Sequence, residues 1–337
     1  MRKSKGFKGI AMVLISLILF VSGCSSNTSG SNENSTKSIT LNAVSFLAKD
    51  NPLTATIPDW IKAVEEATEG RVKVNWRGGA DVIPISEQFE ALNSGVIDVN
   101  FTYIGQYQTQ LPESLSIALS QLTPWEERES GFYNTMVERH KEIGATYLGR
   151  WLTGSPRLWL KEPINSITDL ENMKIRSAPN YNRFFDDLGI ASAMIDPAEV
   201  YTSLQTGVVE GFVFGGLSGP RKEGWTDSAK YVLDIPFWTQ NCTILMNNSK
   251  WDEISKEDQQ AIINATAQYE KGMVDYYKSL DVEERKELEK IGVEFISLPD
   301  EDKQKFLEMA YASEWGFIEA EKPELVDTLR QQTTQNE

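Results

Sequence analysis

The chain has 337 residues, room for two or three domains of ordinary size, and 40% are apolar, which supports a sizeable core and excludes wholesale disorder. A formal charge of −16 argues against a nucleic-acid partner, which needs a basic face. One histidine, His140, and two cysteines, Cys24 and Cys242, exclude a zinc site rich in those residues, a disulfide framework, and any Ser-His-Asp triad not built on His140.

Arg2, Lys3, Lys5 and Lys8 make a positive start, and Ile10 to Val21 is apolar apart from Ser16. That run is short for a bilayer span and has the shape of a secretory signal. It ends in Val21-Ser22-Gly23-Cys24, which resembles the lipobox of bacterial lipoproteins. The resemblance implies removal of residues 1–23 and lipidation of Cys24, palmitate included. An ordinary secretory signal cleaved elsewhere is the alternative. Removal of residues 1–23 takes away those four basic side chains and no acid, so −16 becomes −20. Residues 24–38 are rich in Ser and Asn, have no apolar residue after Cys24, and read as a flexible tether. No later stretch is long and apolar enough to cross a bilayer. Cys242, beside Thr243, Ile244, Leu245 and Met246, reads as an inert residue of a buried strand.

The folded part begins with Ile39, Leu41 and Ala43 alternating as a strand that ends near Phe46. A helix starts at Pro58-Asp59, carries Trp60, Val64 and Ala67 on one face, and closes at Gly70. Val72, Val74 and Trp76 form a second strand, a helix spans about Ser86 to Asn93, and Val96 to Phe101 is a third strand. This is the pattern of a parallel α/β lobe. It returns with a strand at Lys174-Ile175-Arg176, a helix from Tyr181 to Leu188 closed by Gly189, and a short strand to Ile195. Asp196 reads as an N-cap with Pro197 at the first helical position and Glu199 completing a capping-box-like pair. The helix ends at Gly207 and Val208 to Phe214 is a strand.

The two lobes share the pattern E-x4-L-x2-G-V-[IV]-[DE], at Glu87 to Asp98 and at Glu199 to Glu210. Each leucine anchors a helix on its sheet, each glycine supplies a left-handed stop, and each acid begins a strand near the cleft side. Two similar lobes imply a cleft between them, beyond the carboxyl ends of the strands. Lys256 to Glu289 is long, charged and helix-favouring, and is expected to span both lobes. An edge strand at Ile291 to Leu298 and a helix at about Asp300 to Glu319 complete the fold. His140, flanked by Arg139 and Lys141, reads as an exposed helix residue and not as a base.

From Arg157 onward the sequence resembles the DctP-like substrate-binding proteins of tripartite ATP-independent periplasmic (TRAP) transporters. The segments are Ser155-Pro156-Arg157, Ile167 to Arg176 and Pro197 to Gly211, with Leu92 to Asp98 from the first lobe. The resemblance covers most of residues 39 to 320. It implies an α/β, two-lobed periplasmic-binding-protein-like fold with the ligand cleft between lobes and a long lobe-spanning helix. The divisions are 1–23 signal, 24–38 tether, 39–154 plus 241–275 lobe I, 155–240 plus 276–325 lobe II, and 326–337 tail. The implied function is capture of a small organic acid and its delivery to integral-membrane TRAP permease subunits, by a receptor lipid-anchored on the extracytoplasmic face of the cell membrane. It requires no cofactor, no metal and no catalytic group. A binding protein for an ABC importer or a sensor, and a secreted hydrolase, are the competing readings; no segment resembles a catalytic signature.

The resemblance assigns the ligand carboxylate to Arg176, whose guanidinium offers two parallel donors and stays charged when desolvated. A salt bridge from Arg176 to a neighbouring acid is the structural alternative, and Lys174 on the same face is expected at the rim. Arg157 matches a second pocket arginine of the family, or makes a hinge salt bridge. Tyr103 matches a cleft-facing first-lobe position, and Phe46 after the first strand contributes similarly. Phe214 stands where some members carry a polar residue, often asparagine, and Trp238 is a candidate to close the same pocket; both are otherwise core. If both line the cleft, the ligand has an apolar body, which favours a compact or aromatic monocarboxylate or a 2-oxo acid over heavily hydroxylated sugar acids.

Overall fold

The computed structural model describes residues 38–239 and 242–335. The signal at 1–23, Cys24 and the tether up to residue 37 lie outside the described residues. In chain order the first lobe is laid down as β1 (Ile39–Ser45), α1 (Ile57–Ala67), β2 (Val72–Gly78), α2 (Gln88–Asn93) and β3 (Val99–Tyr103). Helices α3 (Ser116–Leu119), α4 (Pro124–Glu129) and α5 (Phe132–Glu142) and strand β4 (Ala145–Leu152) follow. The chain then crosses to build β5 (Pro156–Leu160), β6 (Lys174–Ser177), α6 (Asn182–Asp187), β7 (Ala191–Met194), α7 (Val200–Gln205), β8 (Gly211–Gly215) and β9 (Tyr231–Leu233). It returns as β10 (Cys242–Asn247) and α8 (Asn248–Asp252), and ends in α9 (Lys256–Lys290), β11 (Glu294–Ile296), α10 (Asp300–Glu321) and α11 (Val326–Thr333).

The first sheet has the order β2-β1-β3-β10-β4 and the second β11-β9-β5-β8-β6-β7. The strand-helix-strand pattern predicts parallel sheets, yet both are mixed. In the first, β2, β1 and β3 are parallel and β10 runs against β3. In the second, β7, β6 and β8 are parallel and β5 runs against β8. The shared sequence pattern is therefore part of a shared topology: three parallel strands closed by an antiparallel strand placed next to a crossover. Leu92 and Leu204 are fully buried, and Gly95 and Gly207 sit at φ 75 and 70 where their helices stop. Here one expectation is corrected. Asp98 and Glu210 precede β3 and β8, whereas the cleft lies at the opposite, carboxyl ends of those strands.

Helix α9 runs 35 residues, about 50 Å. Its first half buries Ile262, Thr266, Tyr269 and Met273 against the first lobe, where Trp60 Nε1 donates to Thr266 Oγ1 at 2.9 Å. Its second half holds the other lobe, through Asp281 accepting from the Leu217 amide at 3.1 Å and Arg285 paired with Asp234 at 2.9 Å. The segment read as a tail is helical: α11 buries Val326, Leu329 and Thr333. Among the described residues no helix is long and apolar enough to cross a membrane.

His140 is not exposed, contrary to the sequence reading. It is completely buried in α5, with Nδ1 2.7 Å from the Met136 carbonyl and Nε2 3.2 Å from the Tyr107 hydroxyl. A carbonyl only accepts, so Nδ1 carries the proton and Nε2 accepts from Tyr107. Burial pushes the imidazole down to about 4 and keeps it neutral. Cys242 is buried as expected, and burial pushes its thiol up.

Candidate ligand-binding cleft

A cavity of ≈ 390 Å³ lies between the lobes at the carboxyl ends of β3, β6, β7 and β8. This placement follows from the parallel strands, whose loops fan out at that end and leave a crevice where two sheets face each other. The lobes touch around it. Asn51 Nδ2 donates to Glu223 Oε1 at 3.2 Å, and the Lys222 ammonium donates to the Asp50 carbonyl.

Among the described residues Arg176 is the only basic one lining the cavity, and it is 5% exposed. Its Nε donates to the Ile195 carbonyl at 2.7 Å and its Nη1 to the Val213 carbonyl at 3.0 Å. These bonds fix the guanidinium plane from two strands and leave three of its five N–H groups for a ligand. Among the described residues Arg176 forms no salt bridge, and Asp196 acts on it only at longer range. Burial lowers its proton affinity, and an arginine remains charged even so. A buried, uncompensated cation is costly and is strongly stabilised by an incoming carboxylate. Lys174 does not stand at the rim. It is exposed at the far end of β6, where its amide donates to Glu210.

Tyr103, Phe46 and Phe214 all line the cavity. Tyr103 closes β3, and burial pushes its hydroxyl up to about 12, so it stays a donor at neutral pH. The Phe46 ring lies 4.8 Å from that of Tyr103 and 5.6 Å from that of Trp151. Phe214 is held edge-on by Trp225 at 5.0 Å. Two predicted positions are elsewhere. Arg157 is turned back on the crossover, its Nη1 donating to the Ser155 carbonyl at 2.9 Å, and it does not line the cavity. Trp238 stands one layer behind: it stacks on Tyr181 at 5.6 Å and 10° and donates from Nε1 to the Ala310 carbonyl at 2.8 Å.

Sequence reasoning missed Gln106, Asn180, Tyr181 and Asp196, all of which line the cavity. Each sits in the first residues after a parallel strand, the one signal that marks them. Asp196 was read as a helix cap. It does stand at the N-cap with Pro197 next, but its side chain makes no capping bond, and the exposed residue lines the cavity within electrostatic range of Arg176.

Residues 43–316 match the model of the bacterial extracellular solute-binding protein family 7, DctP. The chain belongs to this family. Among its relatives, a monocarboxylate 2-oxoacid-binding periplasmic protein from a Nostoc species is 24% identical over 239 residues, 66% of this chain and 64% of that protein. Solved structures of similar fold include a TRAP periplasmic solute-binding protein from Desulfovibrio salexigens with bound orotic acid, at TM-score 0.78 and 18% identity, covering 87% of this chain and 98% of that one. Another is an extracytoplasmic solute receptor from Bordetella pertussis binding pyroglutamic acid, at TM-score 0.75 and 15% identity, covering 87% and 100%. For this DctP-family chain the function is therefore binding, and the pocket chemistry bears on what is bound.

Proposed function

We propose that this protein is a lipid-anchored, extracytoplasmic receptor that captures a compact monocarboxylate and passes it to a TRAP-type permease. The observation that carries the reading is Arg176, a buried guanidinium with unused donors and, among the described residues, no salt bridge, lining an interlobe cavity. Among the described residues the cavity is lined by this one cation and one acid, Asp196. A second carboxylate on the ligand meets Asp196 and not another arginine, which disfavours dicarboxylates. Phe46, Phe214, Leu53, Leu152 and Val213 supply apolar walls suited to a body of low hydroxyl content. Relatives and structural neighbours named for 2-oxoacids, orotic acid and pyroglutamic acid support a small acid, while four other neighbours hold the sugar acids galacturonate or glucuronate.

Anchoring through Cys24 rests on the charged start, the apolar run and Val21-Ser22-Gly23-Cys24. Delivery to a TRAP permease rests on the family. The test is a melting-temperature screen of the purified protein with monocarboxylates and dicarboxylates. A ligand bound only by the native state raises the midpoint. Stabilisation by a monocarboxylate is expected; no response to any carboxylate rejects the reading.

A further inference from the structure

Two opposite charges line the cavity close together and do not pair. Arg176 Nε donates to the Ile195 carbonyl at 2.7 Å, and the next residue in the chain is Asp196. Planar peptide geometry then roots the Asp196 side chain within about 6 Å of Arg176 Nε. An aspartate so close has the reach to bond the guanidinium. Among the described residues the two nevertheless form no ion pair, and the Asp196 carboxylate accepts no hydrogen bond. It acts on Arg176 across a gap. The Tyr103 hydroxyl, from the opposite lobe, lies within electrostatic range of both charges, and all three residues line the one cavity.

The charge count decides between ligand classes. A plain or 2-oxo monocarboxylate on Arg176 leaves one cation facing two anions, its own and Asp196, a few ångströms apart in a space with apolar walls. Like charges so placed repel, and closure of the lobes strengthens the repulsion by removing water. A ligand that also carries an ammonium restores the balance. The burial of the two residues gives it a direction: Arg176 is buried and Asp196 exposed, so the carboxylate goes in first and the ammonium stays at the wetter side. The Phe46 and Tyr103 rings, 4.8 Å apart, offer faces that tolerate an ammonium, and Leu53, Leu152 and Phe214 suit an apolar side chain. The short span between the roots of the two charges matches an acid whose carboxylate and ammonium share one carbon.

We propose that the ligand is an α-amino acid with an apolar side chain, held by its carboxylate on Arg176 and its ammonium on Asp196, and that Asp196 selects it over the corresponding 2-oxo acid. This rests on the reading of Arg176 as the carboxylate anchor. The full chain, purified in detergent, is titrated calorimetrically with two matched sets: leucine, 4-methyl-2-oxopentanoate and 4-methylpentanoate, then phenylalanine, phenylpyruvate and 3-phenylpropanoate. In at least one set the amino acid binds at least about tenfold more tightly than both of its partners. Asp196→Asn narrows that preference to under about threefold, weakening the amino acid and strengthening the 2-oxo acid, whose repulsion is gone. A 2-oxo or plain acid binding as tightly as the amino acid in both sets overturns the proposal and leaves the carboxylate reading standing. So does equal weakening of all three by Asp196→Asn, or binding of some other carboxylate and none of these. The wild-type comparison decides the matter even where the variant fails to fold. Absence of binding by every carboxylate, or unchanged binding in Arg176→Ala, removes the carboxylate reading and this proposal with it.

Discussion

Asp98 and Glu210 perform the same task in opposite lobes. Asp98 accepts the Asn42 amide at 2.7 Å while its own amide donates to the Asn42 carbonyl at 2.8 Å. Glu210 accepts the Lys174 amide at 2.8 Å and its amide donates to the Lys174 carbonyl at 2.8 Å. Each acid thereby ties the strand it precedes to the parallel neighbour, at the end remote from the ligand. Asp98 is buried and Glu210 exposed. Asp98→Ala is expected to cost about 1–2 kcal/mol and Glu210→Ala about half that, with ligand affinity unchanged in both. Denaturant midpoints and calorimetry check this. A loss of affinity without loss of stability contradicts it.

Arg176→Ala should lower affinity for the carboxylate by at least about a hundredfold, since a desolvated ion pair with parallel hydrogen bonds is lost. The ligand-free melting temperature should stay within a few degrees, because relief of a desolvated charge offsets the loss of its hydrogen bonds to the Ile195 and Val213 carbonyls. Calorimetry and a thermal melt on the same sample separate the two effects. Full affinity in the variant moves the carboxylate elsewhere.

Gly105 has no room for a side chain. A Cβ there meets the Tyr103 ring at 2.4 Å as well as Asn180 at 3.0 Å. Gly105→Ala should hold the lobes apart and weaken binding by about tenfold or more while leaving each lobe folded. Unaltered affinity shows that the liganded lobes do not approach this closely.

His140 gives the fold a pH dependence with a defined sign. The unfolded chain takes up a proton on His140 near 6.5, and the native protein only near 4. Between those values the unfolded state binds more protons, so stability falls as pH drops through the window, by up to roughly 3 kcal/mol. In His140→Gln the slope of unfolding free energy against pH should lose one proton's worth between pH 6.5 and 4. Measuring the slope, and not the absolute stability, isolates the imidazole from the buried carboxylates. An identical slope in both proteins places the titration elsewhere.

Cys24→Ser should move the protein from the membrane fraction to the soluble fraction of cells expressing it. Fractionation with an immunoblot reads this directly, and continued anchoring rejects lipidation at that residue.

Much of the secondary structure was legible because it follows from local rules: alternation for β1 and β2, glycine stops after α1, α2 and α7, and one long charged helix. Arg176 was singled out through the family resemblance; a charged residue in an apolar strand by itself reads equally as a structural salt bridge. The misreadings share a cause. Asp196 stands at the N-cap as read, without a side-chain capping bond, and only tertiary structure shows that it also lines the cavity. His140 has charged neighbours in sequence, but its helix face is set by Met136 four residues earlier, which is buried with it. Trp238 was placed near the pocket and stands one ring behind it. Gln106 and Asn180 are ordinary loop residues by composition, and only the fold brings them to the cavity.

The strands that close the two sheets have a consequence for synthesis. Strand β10, which completes the first sheet between β3 and β4, is encoded after the whole of β5 to β9. As the chain emerges, the first 152 residues hold β4 with no neighbour to pair with. That edge is satisfied only once residue 247 arrives, by which time the second lobe has most of its strands. The first lobe thus closes only after most of the second has been made, β11 then completing the second sheet later still, and no truncation directly after β4 yields the first lobe alone. A chain built this way suits export in an unfolded state: the piece made first stays open until the piece made later returns to it.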